Sequence, residues 1–460
     1  MHSLGRTLSP LFRMLLVATV PFAAATAQQS GLISRTTLDN GLEVVVAENP
    51  AVPLATVLVA VRNGAFTQDS DEAGLAHLYE HLLFHSFRRD PSAFGYEVSR
   101  LSGRYNGTTN HEVVTYFVVV PSKHVEGGIK LLGRLLEDAH FSSGDLKDER
   151  PVVLDELQRD ESDPEELLER QVDRALWGES WPRKDVGGDS VSLRGITPEQ
   201  LQQTYARYYV PNNAALIVTG DVTPDRVLAA ARHHFGEWKR GADPFAERPI
   251  PPVTPRAGSA AILLGKDVLD VTILVALQGP SVRTDPAATY AADALFAVFN
   301  DPGSPFQRRL VDAGPFQSVT GHYLTLDHTG PIELRGKTTP AHAQEGLLKL
   351  LDELDNLDLL DSVTDDDLAI AKKRREVTAA LTVEQTAMVA PQLAFWWSSA
   401  GMDYYLTYDD RMNAQSLESL RQFARTYIVG RPRVIGVLAA PTVVDTLAAW
   451  LRGGARRTTP

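Results

Sequence analysis

Cysteine is absent from all 460 residues. No disulfide can form and no thiolate is available, so any metal would have to be held by histidine and carboxylate. A lipidated N-terminal cysteine is excluded as well. Long apolar runs are also missing. The run Met14-Leu-Leu-Val-Ala-Thr-Val is shorter than the ~20 residues of a spanning helix, and no other stretch approaches that length without charges. Arg6 and Arg13 precede it and Ala25-Thr-Ala27 follows, the layout of a cleaved secretory signal over residues 1–27. A retained N-terminal membrane anchor is the alternative. Basic residues are scarce relative to acids, 45 against 58. Removing residues 1–27 takes away two arginines and no acid, leaving 43 against 58 and a formal charge of -15 in place of -13. An acidic exported chain is a poor candidate for nucleic acid. The expected location is the periplasm, with no integral membrane segment once the signal is gone.

What is present is ordinary in bulk: 43% hydrophobic and 22% charged residues, in a chain long enough for two to four domains. One stretch is not ordinary. In Gly74-Leu-Ala-His77-Leu-Tyr-Glu80-His81-Leu-Leu-Phe84, helical geometry stacks His77 and His81 one turn apart with Glu80 beside them. Two neutral nitrogen ligands and an acid/base group that is not itself a ligand are what a catalytic zinc requires. Five residues alone are weak evidence, because a surface helix can carry two histidines and a glutamate by chance. His85 falls one turn past His81 and is expected to be solvated rather than a third ligand. His111 is likewise expected in solvent.

The stretch from Gly74 to Phe84 resembles the signature of the pitrilysin/insulinase family of zinc metallopeptidases, the inverzincins, which includes mitochondrial processing peptidase; H-x-x-E-H is the inverse of H-E-x-x-H. The resemblance runs from about Leu42 to Trp238. Leu42–Glu48 and Ala55–Arg62 read as strands leading to the His77 helix. Ser102–Pro121, a Gly-rich bend entering a strand, resembles the family's edge strand, where Asn106 and Gly107 would face a peptide added by main-chain pairing; a core strand with a polar turn is the alternative. The acids between Asp145 and Glu169 suit a solvated helix face, yet the segment also resembles the family's E-x6-E. The resemblance makes Glu156 the third Zn2+ ligand and Glu149 its supporting neighbour. Glu80 would be the catalytic base. Ile196-Thr-Pro through Tyr209-Val-Pro-Asn-Asn to Gly220-Asp-Val matches the piece that closes the family's first half.

Five prolines between Arg240 and Gly258 mark a stiff connector that blocks helix, placed at residues 241–257. The chain also repeats itself. Pro121-x4-Glu126-Gly-Gly-Ile-Lys-Leu-Leu and Pro340-x4-Glu345-Gly-Leu-Leu-Lys-Leu-Leu agree at an offset of 219, and Ala206-Arg-Tyr-Tyr-Val and Ala424-Arg-Thr-Tyr-Ile at 218. The fold class expected is α+β: a tandem duplication of two homologous α/β-sandwich domains, 32–240 and 258–455, with antiparallel-rich sheets and helices packed on them. The same shift puts Phe296, Phe299 and Asn300 opposite His77, Glu80 and His81, so the second half should hold no metal.

The resemblance implies half of a clamshell that cuts peptides or unfolded segments. Family C-terminal halves often carry an Arg and, seven residues on, a Tyr that hold substrate. Leu310 and Gln317 stand at those positions here, with Arg308 or Arg309 as substitutes only after a small shift. A related partner subunit supplying the Arg and Tyr is therefore expected, a homodimer being the alternative. A non-catalytic structural or peptide-binding subunit of the same family is the competing function.

Overall fold

Runs of β-branched residues bounded by glycine and proline build two sheets of one topology in the computed structural model, which describes residues 33–454 except 88, 89, 91, 138, 140, 384 and 385. The expected signal at 1–27 lies outside these residues. The first sheet contains β1 (Ile33–Thr37), β2 (Glu43–Glu48), β3 (Leu54–Val61), β4 (Arg104–Thr109), β5 (Val114–Pro121) and β6 (Ala214–Gly220), in the order β1-β2-β6-β3-β5-β4. The second contains β7 (Ala260–Gly265), β8 (Val271–Gln278), β9 (Phe316–Tyr323), β10 (Pro331–Thr338) and β11 (Arg433–Ala439), in the order β7-β11-β8-β10-β9. With β1 set aside the two orders correspond strand for strand. Among the described residues the only parallel pairs are β2 with β6 and β7 with β11, which occupy equivalent places. The duplication read from two short matches thus extends through both sheets.

Strands β3 and β6 are buried along nearly their whole length, without alternation. Such strands are covered on both faces. One cover is a set of helices from the same half: α1 (Leu75–Ser86), α2 (Val125–Glu137) and, further out, α3 (Ser143–Ser162), which together bury Leu78, Leu82, Ile129, Leu132 and Val153 with Val57 and Val118. The other cover comes from across the molecule. Helix α5 (Thr386–Ser399), in the second half, lays Ala390, Leu393, Ala394 and Trp397 in one core with Leu58, Ala60, Phe117 and Ile217 of the first sheet. Reciprocally, α4 (Pro164–Trp177) packs Leu168, Val172 and Leu176 against Leu274, Ala276, Val434 and Leu438 of the second sheet. Gly436 makes this approach possible, because a Cβ there would stand 2.5 Å from the Val172 side chain. A fully buried aliphatic side chain contributes about 1.5–3 kcal/mol, so the exchanged helices bind the halves firmly.

The connector departs from expectation. Residues 248–257 carry no helix or strand, but Pro244–Glu247 forms one helical turn capped by the Asp243 side chain. Pro244 sits at the first helical position, where its missing N–H has no partner to lose. Phe245 packs 5.6 Å from Phe66, and Arg248 pairs with Asp69 and Glu72. The connector is a docked strap.

Candidate metal centre

Helix α1 owes its placement to a buried stripe of Leu75, Leu78, Tyr79, Leu82 and Leu83. No side chain caps it at Gly74. Buried Gln68 instead reaches back from the preceding loop and accepts the Ala76 N–H at 3.0 Å, serving one of the orphan donors of the first turn. Gly74 is left-handed, with φ 88°. Gly188, at φ +68°, lies so close that a Cβ would stand 2.3 Å from backbone atoms of Ala73 and Gly74. The start of α1 is therefore clamped by backbone against backbone.

The face opposite the stripe presents His77, Glu80 and His81. Helix α3 starts at a capping box of Ser142 and Asp145. It buries Leu146, Val153 and Leu157, and turns Glu149 and Glu156, two turns apart, toward α1. Pro151 lies inside this helix; its missing N–H forgoes one backbone bond without breaking the element.

His77, His81 and Glu156 converge so that one ligand atom from each lies within 4.8 Å of the others. Glu156 Oε2 is 3.8 Å from His77 Nε2 and 3.5 Å from His81 Nε2. The two imidazoles stand edge to face, ring centroids 4.8 Å apart. A tetrahedral zinc with bonds of 2.0–2.1 Å sets its donors roughly 3.3 Å apart, and two imidazoles with one carboxylate are a known zinc donor set. The residues fit such an ion. Among the described residues no second cluster of this kind occurs.

Glu149 stands behind the cluster. Its Oε1 is 2.8 Å from His81 Nδ1 and its Oε2 is 2.9 Å from His85 Nε2. His85 is thus engaged with Glu149 rather than free in solvent as expected, and it does not join the three converging residues. Burial alone would raise the Glu149 carboxyl, but the bonds to His81 and His85 outweigh it and hold it down at about 2.

Glu80 is differently placed. Burial pushes its carboxyl above the usual range, against the pull of His81 and of Thr109, whose Oγ1 donates to Glu80 Oε2 at 2.8 Å. Thr109 is the last residue of β4. Among the described residues that strand is an edge, paired only with β5, as the edge-strand reading requires. The two residues assigned to substrate do not act alike, however. Side chains alternate along a strand: Gly107 shares the face of Thr109, and a Cβ on it would stand 2.5 Å from Glu80 Oε1. Asn106 points to the other face, opposite Phe117. Gly107 thus makes room for Glu80, and what the two positions share is the free backbone edge. Period-2 spacing from Gly107 was the signal for Thr109.

His111 is partly buried, contrary to expectation; burial, with Lys184 nearby, pushes its imidazole down to about 4. In the second half Phe296 and Phe299 lie in the core, and Asn300 bonds both backbone groups of Gly321. The ring of Phe296 meets Gly321 of edge strand β9 much as Glu80 meets Gly107. Leu310 is buried and Gln317 reaches Asp270. Arg309, one of the two possible substitutes, is occupied by Glu353, whereas Arg308 is exposed.

Two family models match, "Insulinase (Peptidase family M16)" over residues 43–184 and "Peptidase M16 inactive domain" over 195–375. The chain belongs to the insulinase (M16) peptidase family. Among relatives, an uncharacterized zinc protease of Mycobacterium leprae is 33% identical over 211 residues, 46% of this chain and 47% of that protein, so the match spans about half its length. The mitochondrial-processing peptidase subunit beta of Blastocladiella emersonii is 23% identical over 87% of both chains. The M16 fold recurs in a protease from Helicobacter pylori, with a TM-score of 0.77, 20% identity, and 88% of this chain and 99% of that one covered. It recurs again in the periplasmic protease PqqL from Escherichia coli, with a TM-score of 0.74 and 17% identity; there 94% of this chain covers 51% of the other. The matched fold thus makes up about half of that longer polypeptide. No helix among the described residues is long and apolar enough to cross a membrane.

Proposed function

We propose that this M16 protein is an exported zinc endopeptidase acting on peptides or unfolded segments. The observation that carries the reading is the convergence of His77, His81 and Glu156 within 4.8 Å, beside a half-buried Glu80 that is not among them. Those three side chains would hold the ion. Bound there, zinc would supply Lewis acidity, polarising the scissile carbonyl and bringing the pKa of water toward ~7.

The chain's own residues do the rest. Glu80, raised by burial, takes the proton of the attacking water and later gives it to the leaving amine. Thr109 holds the Glu80 carboxylate by one oxygen and leaves the other for the water. Glu149 fixes the ring of His81 through Nδ1, so that Nε2 faces the ligand position. The free edge of β4 pairs with an extended peptide, which favours unfolded substrates over folded ones. The test is direct: the purified chain should carry about one zinc and, with its partner subunit present, cleave β-casein, and Glu80→Gln should abolish cleavage with zinc retained. A protein that binds no zinc and leaves casein intact would support instead the structural or peptide-binding subunit.

The assembly proposed is a heterodimer. Leu310 and Gln317 offer no cation or phenol where the family's Arg and Tyr would stand, and Arg309 is committed to Glu353. A related exported partner lacking H-x-x-E-H would supply that pair, with the periplasm as the shared compartment. Full cleavage by the chain alone, unchanged on adding such a partner, would exclude this.

A further inference from the structure

Between β4 and β5 the chain turns through Asn110, His111 and Glu112, and this turn is held from two directions. From the first half, Ala65 N and Phe66 N donate to the carbonyls of Asn110 and His111 at 3.3 and 2.9 Å; these donors belong to the loop that leads into α1. From the second half come three bonds onto one residue. Glu112 Oε2 accepts Asp327 N at 2.8 Å, its Oε1 accepts His328 N at 2.9 Å, and its carbonyl accepts Ser398 Oγ of α5 at 2.5 Å. Lys184, also buried, closes the other side by donating to the carbonyls of His328 and Thr329 at 3.0 and 2.6 Å. Glu112 is 2% exposed. A carboxylate at that depth is tolerated only when its lone pairs are met, and here two backbone donors meet them.

Glu112 lies three residues beyond Thr109, which bonds Glu80, and five beyond Gly107, which lies against it. We propose that Glu112 is a positioning residue through which the second half sets strand β4, and with it Thr109, against the base Glu80. This rests on the peptidase reading above. Structurally it gives the second half a task in the reaction other than enclosing space: it supplies the fixed point from which the peptide-pairing edge is hung.

Glu112→Gln keeps the size of the side chain but replaces one acceptor with a donor, so one of the two backbone N–H groups loses its partner. In this variant we expect zinc content unchanged, kcat for β-casein reduced about tenfold or more, and faster amide hydrogen exchange across residues 104–110. Thr109→Val should lower kcat similarly without altering exchange at 327–328, and Thr109→Ser should restore it. The double variant should lose little beyond Thr109→Val alone, since both act on the same carboxylate. A general loosening of the fold would instead move every segment and add to the effect of Thr109→Val. If Glu112→Gln does not fold, Ser398→Ala removes a single bond from the same turn and should show the same pattern more weakly. Unchanged exchange across 104–110 overturns the proposal whether or not the wild type cleaves casein. Unchanged kcat in a folded, zinc-loaded Glu112→Gln overturns it too. Absence of cleavage by the wild type both alone and with its partner subunit refutes the peptidase reading by itself, and the exchange measurement still decides whether the turn is held by Glu112.

Discussion

Glu149 Oε1 lies 2.8 Å from His81 Nδ1, so the imidazole that faces the ligand position with one nitrogen is anchored by the other. Removing such an anchor lowers metal affinity about 10–100-fold. Glu149→Ala should therefore bind zinc that much more weakly in competition with a chromophoric chelator. His85→Ala, which frees only the far oxygen of Glu149, should have a smaller effect. Equal zinc affinity in Glu149→Ala and wild type would show that the contact does not serve the metal.

Gly107→Ala places a methyl 2.5 Å from Glu80 Oε1. Either β4 or Glu80 must move, and both belong to the proposed chemistry. Expected is a loss of about tenfold or more in kcat/KM with zinc content unaffected, measured on β-casein. Wild-type turnover in this variant would mean that the close approach has no catalytic consequence.

Gly188→Ala addresses stability. A Cβ there meets backbone atoms of Ala73 and Gly74 at 2.3 Å, in a left-handed conformation that alanine disfavours. Destabilisation of about 2–4 kcal/mol is expected from strain and overpacking together. Chemical denaturation compared with Gly195→Ala, where a Cβ meets nothing within 4 Å, is the appropriate measurement.

The pH dependence of stability should reflect Asp293. Burial pushes this carboxyl up to about 7, against the hydrogen bond from Tyr408 and the charge of Arg375. Because the folded value lies above the unfolded one, the stabilising contribution is fully present below about pH 4 and is lost as pH rises through 7. The loss is on the order of 4 kcal/mol across that window. Asp293→Asn should remove this component, so its melting temperature relative to wild type should climb between pH 5 and pH 8. A constant difference over that range would refute the assignment.

How far the sequence could be read depends on how local each feature is. His77, Glu80 and His81 share one turn of one helix, and their convergence follows from 3.6 residues per turn. Glu149 and Glu156 required resemblance, because α1 and α3 meet only through tertiary packing. Thr109 was within reach by strand alternation from Gly107, but the contacts of His85 and Glu112 were not: each joins residues far apart in sequence through ordinary side chains that also occur in solvent. The duplication was visible in two short matches. That the paired helices α4 and α5 cross to cover each other's sheets was not, since an apolar helix face does not name the sheet it will meet.

That crossing has an evolutionary reading. Helices α4 and α5 follow equivalent helices in the two halves, Ser143–Ser162 and Asp365–Val383, and each serves the other half's core. A single unit on its own would have left one sheet face bare. Two copies exchanging this helix would have satisfied each other as a symmetric swapped pair, and fusion through a proline-bearing strap preserves that arrangement in one polypeptide. Once the copies were joined, the residues at equivalent places could diverge, as His77, Glu80 and His81 differ from Phe296, Phe299 and Asn300, while each half still covered the other's core.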